Sequence, residues 1–450
     1  MWINSYLRKS VLPVLLILLF GTAGVSGENV LKLSLEESID LALKQSVVIN
    51  SAREQVRVSE SGRKEALTGF FPKLSTSYYY KRLNETPGTT LTGTPTQTGT
   101  KNNYTWEVEV IQPIFTGGKT LSNYQISKLG AEVSRSDKMT TIQNIVKDVK
   151  VAYFDILKSE RILDVAEQSV EQLNAHRDIA QSFYDVGIIP RNDLLYAEVE
   201  LAGGTQDLVR AENGVQLAKA KFNTILRRDI NAQIEVEDIL MYKPFQKTLE
   251  ECLKTAFENR SEIKAYTLSV EQSKKTVTLA KGDFFPSVNL VGNYSWYGDE
   301  PDVSGSKYQD QEDWYVMAAA TWNFWEWGKT KHNVDANVSR LKQAEDALIN
   351  VKDQISLEVK NSSLYLREAE KHIFVAKKAI EQAEENFRIN KERYKEQVAT
   401  STDVIDAQTL LTKTKSDYFN ALSSYNIALA ILERSMGIID ASLLDQELGK

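Results

Sequence analysis

The sequence predicts a mainly α-helical chain that carries four β-strands and is assembled from two copies of one half-molecule. Three observations lead there. The chain repeats itself at an offset of 214 residues, it switches twice from helical to alternating periodicity, and its prolines leave two very long stretches uninterrupted.

The repeat comes first because it frames everything else. Leu35-Glu36-Glu37 returns as Leu249-Glu250-Glu251, and without a gap the same offset pairs Ile49 with Ile263, Val56 with Val270 and Ala66 with Ala280. It also pairs Phe70-Phe71-Pro72 with Phe284-Phe285-Pro286. Beyond the next loop the offset is 210: Gly118-Lys119-Thr120 matches Gly328-Lys329-Thr330, and Tyr184, Asp193, Ala197 and Asp207 match Tyr394, Asp403, Ala407 and Asp417. A period this long marks a duplicated half rather than a solenoid unit. The halves fall at 28–228 and 249–436, with a linker at 229–248 and a tail at 437–450.

Taken in order, residues 1–27 read as a secretory signal peptide. Arg8 and Lys9 precede an apolar core from Val11 to Phe20, and small residues follow to Gly27. That core is too short for a spanning helix, which needs about 20 residues. The chain has no other long apolar run. Any membrane crossing must therefore be made by strands closed into a barrel.

Each half then opens with a charged helical pattern that stops at Phe-Phe-Pro. Proline fixes φ, removes an N–H and pushes the preceding residue toward extended geometry, so it suits a change from helix to strand. Alternation follows at 73–83 and 103–115 in the first half, and at 287–297 and 313–325 in the second. Tyr104, Trp106, Val108 and Val110 share one face, opposite Thr105, Glu107 and Glu109. Trp314, Val316, Ala318, Ala320, Trp322 and Phe324 share another. Period two over about ten residues, with aromatic ends and a polar second face, is the mark of transmembrane strands. A soluble sheet packed on helices shows the same alternation, but the density of tryptophan favours the membrane. The connecting stretches 83–102 and 297–312, rich in Thr, Gly, Pro and Asp, read as exposed loops. Four strands cannot close a barrel, because about eight are needed.

No proline lies between Pro113 and Pro190, and none after Pro301. Gly118 to Tyr184 and Gly328 to Tyr394 therefore read as two helices of about 100 Å each at 1.5 Å per residue. Helices of that length pack as coiled coils rather than as an ordinary globule.

Composition excludes several functions. A formal charge of −7 over 450 residues, without a basic face, argues against nucleic acid. One cysteine, Cys252, leaves no disulfide framework and no four-cysteine zinc site. His176, His332 and His372 fall on helical stretches without metal-ligand spacing and read as solvated-face residues. Neither a phosphate loop nor a dinucleotide motif follows a strand. The residues thus predict no enzyme, no catalytic group and no cofactor or metal.

At this point the chain resembles the TolC family of outer-membrane efflux and secretion channels. The resemblance rests on the duplication, the two Phe-Phe-Pro entries and two helix turns, one at 185–192 within Phe183-Tyr184-Asp185-Val186-Gly187-Ile188-Ile189-Pro190-Arg191-Asn192-Asp193, the other at 395–402 within Arg393-Tyr394-Lys395-Glu396-Gln397-Val398-Ala399-Thr400-Ser401-Thr402-Asp403. It implies a homotrimer in the outer membrane of a Gram-negative bacterium. Each chain would give four strands to one 12-stranded β-barrel, continued by a long periplasmic α-helical barrel with an equatorial belt from 229–248 and the tail. Phe70, Phe71, Pro72, Phe284, Phe285 and Pro286 would mark the membrane boundary.

The resemblance further implies a passive duct of a tripartite pump or type I secretion system. Its tips would dock a periplasmic adaptor that leads to an inner-membrane pump of RND, ABC or MFS type. Val186, Gly187 and Ile188 match the first docking tip; Gln397, Val398 and Ala399 occupy the second, with Gln397 replacing the usual glycine. Asp403 and Asp406 match the acids that narrow the entrance, three apart on one helix face. An acid in a first turn also favours the helix dipole, with Thr402 a candidate cap. Ala399 stands where the family often has a latching arginine, which leaves Arg191 with Asp193 as the candidate tip network. The competing reading is a non-channel adaptor or structural protein of helical hairpins with a soluble sheet.

Overall fold

The computed structural model describes residues 31–438 apart from Thr92, so the signal segment 1–27 and nearly all of the tail 437–450 lie outside the described residues. The first half runs β1 (Leu31–Leu33), α1 (Leu35–Gln45), α2 (Val47–Thr68), β2 (Lys73–Arg82), a small hairpin of β3 (Gly88–Leu91) and β4 (Thr94–Gln97), β5 (Asn102–Phe115), α3 (Lys119–Asp185) and α4 (Arg191–Ile225). After β6 (Ile234–Val236) the second half gives α5 (Leu249–Asn259), α6 (Ser261–Lys281), β7 (Ser287–Gly298), β8 (Glu312–Thr321), α7 (Lys329–Lys395) and α8 (Ser401–Ser435). Helices α3 and α7 both have 67 residues, and α4 and α8 both have 35. The duplication survives as matched lengths even where the residues have diverged.

The same local chemistry starts both halves. The hydroxyls of Ser34 and Thr248 accept the N–H of Glu37 and Glu251, whose carboxylates accept the cap N–H in return. Two orphan donors are satisfied at each helix start. Packing then concentrates around the middle of the long helices. Ile39, Tyr153, Ile156, Phe222 and Leu226 form one core, and Cys252, Ile355, Val359, Tyr425 and Leu432 its counterpart in the second half. Strands β1 and β6 pair in parallel over the first core, where the Tyr153 hydroxyl reaches the Leu33 and Glu237 carbonyls at 3.2 and 2.8 Å. Three-residue strands carry no readable period, so the linker and the N-terminal approach gave no strand signal; nor did the hairpin β3–β4 inside a predicted loop.

The second half adds a charge network that the first lacks. The buried Arg260 side chain meets Glu262 at 2.9 Å and Glu358 at 3.0 Å, while Arg434 reaches the same acids at 2.8 and 3.2 Å. It joins α6, α7 and α8 at one level. Ser46, which caps α2 with its side chain, stands at the position equivalent to Arg260.

Two further differences from the sequence reading bear on the fold. The fourth strand ends at Thr321, not at 325. Its partner β7 begins at Ser287, paired with Thr321, immediately after Pro286, so no extended neighbour remains for Trp322 to Trp325. Trp322 instead donates its indole N–H to the Phe284 carbonyl at 3.2 Å. The second difference is His176, which is buried rather than solvated.

Gly117 joins β5 to α3 with φ +65°, and a Cβ there would come within 2.3 Å of the Gly282 carbonyl oxygen at the end of α6. Gly118 has a similar φ of +80° with open space around it. We expect Gly118→Ala to cost about 1 kcal/mol for left-handed backbone and Gly117→Ala clearly more. Thermal unfolding followed by circular dichroism should rank them in that order.

Candidate functional site

The sheet has the order β2-β5-β7-β8, all antiparallel. Its register puts Leu74, Thr76, Tyr78 and Tyr80 of β2 beside Val110, Val108, Trp106 and Tyr104 of β5. The same face continues through Gly292, Tyr294 and Trp296 of β7 to Val316 and Trp314 of β8. Trp106 and Trp296 stack at 4.7 Å, and Tyr80 and Tyr104 at 4.6 Å. The opposite face carries Ser75, Ser77, Glu107, Glu109, Asn293, Ser295, Asp313 and Tyr315. Polar Thr105 and Ser295 are buried, while Leu74, Trp314 and Val316 are about two-thirds exposed (69%, 66% and 64%). An exposed apolar face backed by one rich in Ser, Glu, Asn and Asp fits a strand set with lipid outside and water within. Both edges, β2 and β8, are unpaired among the described residues.

The predicted boundary residues sit where helix becomes strand. Phe70, Phe71, Phe284 and Phe285 are exposed, and β2 and β7 begin directly after Pro72 and Pro286. No described helix is long and apolar enough to cross a membrane.

The opposite end of the long helices is closed by two equivalent turns. In the first, the Gly187 N–H donates to Tyr184 O and the Ile188 N–H to Phe183 O, both at 2.9 Å. In the second, Gln397 donates to Tyr394 O at 3.0 Å and Val398 to Arg393 O at 2.9 Å. Each is a Schellman closure, which needs left-handed backbone at the residue after the cap. Gly187 meets this with φ +79° and Gln397 with φ +60°. The sequence departs from glycine here but the backbone does not. Val186, Ile188 and Val398 protrude into solvent, and Ala399 is half-buried.

Helix α8 starts at a capping box made by Thr400, not Thr402. The Thr400 hydroxyl accepts the Asp403 N–H at 3.2 Å, and the Asp403 carboxylate accepts the Thr400 N–H at 2.8 Å. These bonds from Thr400, with the Arg393 charge nearby, hold Asp403 below the usual carboxylate range. Asp406 lies exposed one turn on. Asp193 is half-buried and accepts from Asn192 at 3.0 Å. Arg191 points into solvent and has neither hydrogen bond nor ion pair among the described residues. Its proposed network with Asp193 is therefore not formed within the chain, because α4 begins with Arg191 on its open side. Arg393, which the sequence reading passed over, donates to the Val398 carbonyl at 3.1 Å and ties the second turn.

Comparison with known proteins decides the family. The model of the family described as outer membrane efflux protein matches residues 38–226 and 252–438. The chain belongs to that family. Among relatives of this efflux protein, outer membrane efflux protein BepC of Brucella suis biovar 1 is 21% identical over 429 residues, covering 95% of this chain and 88% of the relative. Outer membrane protein TolC of Vibrio cholerae is 22% identical over 71% of this chain and 74% of its own. Among solved structures, the Campylobacter jejuni CmeC outer membrane channel superposes with a TM-score of 0.79 at 18% identity, covering 92% of this chain and 89% of that one. VceC of Vibrio cholerae gives 0.78 at 16% identity, with 90% and 96% covered. The efflux protein is thus an outer-membrane protein whose fold, four strands above paired long helices, is that of these channels.

The box at Thr400 can be tested directly. Thr400→Ala should cost about 1 kcal/mol at the α8 start, read as faster hydrogen exchange of residues 401–405. Asp403 has a lowered folded pKa, so its contribution is present above the ordinary carboxylate pKa and is lost as pH falls through the folded value. Wild-type protection at 401–405 should therefore weaken below about pH 4 and stay level from there to neutrality as far as Asp403 is concerned.

Proposed function

We propose that the protein is the passive outer-membrane exit duct of a tripartite efflux pump or a type I secretion system, working as a homotrimer. The observation that carries the reading is the open four-stranded sheet, lipid-like on one face and polar on the other, continuous with helices of 67 residues. Three chains would pair edge β8 of one with edge β2 of the next into a 12-stranded barrel. This supplies the strands a closed barrel needs and pairs every edge group in the hydrocarbon. The helices would then extend into the periplasm, with the linker 229–248 as an equatorial belt.

Val186, Gly187, Ile188, Gln397 and Val398, with half-buried Ala399 beside them, are the surface offered to a periplasmic adaptor. An inner-membrane pump of RND, ABC or MFS type would supply the transported compound. Asp403 and Asp406, both exposed on α8, would contribute six carboxylates from three chains, an arrangement that favours cations in a pore. Asp403 combines this with its capping bonds, since only part of its carboxylate is engaged. No catalytic step is assigned to any residue.

Detergent-purified protein should run as a stable trimer and conduct in planar bilayers. Asp403→Ala combined with Asp406→Ala should lower cation selectivity several-fold while the trimer persists. Purification as a soluble monomer without detergent would overturn the channel reading, and unchanged reversal potentials would reject the acidic ring.

A further inference from the structure

Behind the second tip turn, three helices meet around one buried imidazole. His176 of α3 lies 2.8 Å through Nε2 from the hydroxyl of Ser401, the first residue of α8, which is itself buried. Its ring packs on Tyr394 near the end of α7, with centroids 4.9 Å apart, and Phe183 covers the other flank of that tyrosine at 5.5 Å. The Tyr394 hydroxyl is buried beside Ser401. The seam from here along α3 and α8 is polar: Thr412 donates to Ser169 at 3.1 Å, while Gln172 and Gln408 each keep a buried carbonyl oxygen unpaired. Apolar packing near the tip comes from a small cluster of Ala180, Leu194, Ala197 and Ile405, with Val404, Ala407 and Leu411 of α8 also buried. Polar contacts and one ring thus sit beside modest apolar packing where α8 starts.

We propose that His176 is a pH-sensitive clasp, which holds the start of α8 against α3 when neutral and releases it when protonated. The inference rests on the reading of the tip as the closed end of the duct. Its physical basis is the cost of a buried cation. The ring has a single hydrogen bond among the described residues, to a neutral hydroxyl, and no carboxylate pairs with it. The charged groups around it are engaged elsewhere. On α3, Arg177 pairs with Asp178 at 2.8 Å; on α8, Asp403 is turned to Thr400; at the start of α4, Asp193 accepts from Asn192; on α7, Arg393 binds Val398 O. Tyr394 is neutral throughout, its pKa raised by burial.

Burial pushes His176 down to about 4. In a released tip the imidazole meets water and returns toward its ordinary value of about 6.5. The sign follows from linkage. Release binds a proton that the clasped state does not, so falling pH favours release from about 6.5 downward until the clasped state also protonates near 4. Between pH 7.5 and 5.0 the released-to-clasped ratio should rise about thirtyfold. Asp403 stays ionised across that window.

The test uses the full-length trimer in detergent and His176→Gln, which keeps a side-chain hydrogen bond to Ser401 without a titrating group. Hydrogen exchange of residues 401–408, corrected for the intrinsic pH dependence of exchange, should accelerate by about an order of magnitude or more from pH 7.5 to 5.0 in wild type. It should stay level in His176→Gln. Equal acceleration in both, or none in wild type, overturns the clasp. Single-channel recordings over the same range separate the two readings. Acid-induced opening in wild type alone supports both clasp and duct tip. Exchange that responds to pH with unchanged conductance keeps the clasp and rejects this end as the gate.

Discussion

Hydrocarbon cannot hydrogen-bond a peptide group, and that single fact constrains most of this molecule. Among the described residues no helix can cross a membrane, which leaves strands, and four of them leave the outer edges of β2 and β8 unpaired. The sheet cannot be completed alone, so in the proposed assembly the crossing and the oligomer form together. The face pattern follows from the same constraint. Apolar and aromatic side chains dominate one side, while Ser, Glu, Asn and Asp gather on the other with Val291 and Met317 at its helix-proximal end, and the β2–β5 ladder is uninterrupted from Lys73–Ile111 to Arg82–Asn102.

The far end solves a different problem twice. Two 67-residue helices must each reverse direction in five residues and start a new helix. Both use the same carbonyl closures, yet the next step diverges. The first turn has Gly187 and then Pro190, whose fixed φ needs no side-chain cap. The second accepts Gln397 in left-handed backbone, at a cost of about 1 kcal/mol, and offsets it with the Thr400–Asp403 box and the Arg393 bond. Only this second turn is tied to the buried His176.

Long-period features were legible in the sequence because many residues report each of them. The duplication, the paired long helices and the two Phe-Phe-Pro transitions all rest on dozens of positions. Features set by one contact were not. Strands β1 and β6 have three residues each, too few to show a period. The end of β8 depends on where its neighbour begins, which is a tertiary fact. The cap of α8 shifted from Thr402 to Thr400 because both residues are threonine and only geometry separates them. Asp403 matched an entrance acid and a capping acid equally well. His176 looked like an exposed helix residue because its burial comes from α7 and α8, more than two hundred positions away. Arg393 went unnoticed for the same reason: sequence position does not say which arginine reaches the turn's carbonyl.

Matched lengths carry a consequence of their own. Helices α3 and α7 act as two struts between one sheet and one pair of tips, each residue adding about 1.5 Å. A deletion of seven residues in α3 alone would retract its tip by about 10 Å while leaving the tip of α7 in place. The His176–Tyr394 ring contact joins the two struts across that end, so their lengths are coupled. Length in this fold therefore behaves as a paired quantity. A change in body length then calls for matched edits in both copies, in keeping with the equal lengths of α3 and α7 and of α4 and α8 in halves so divergent in residues.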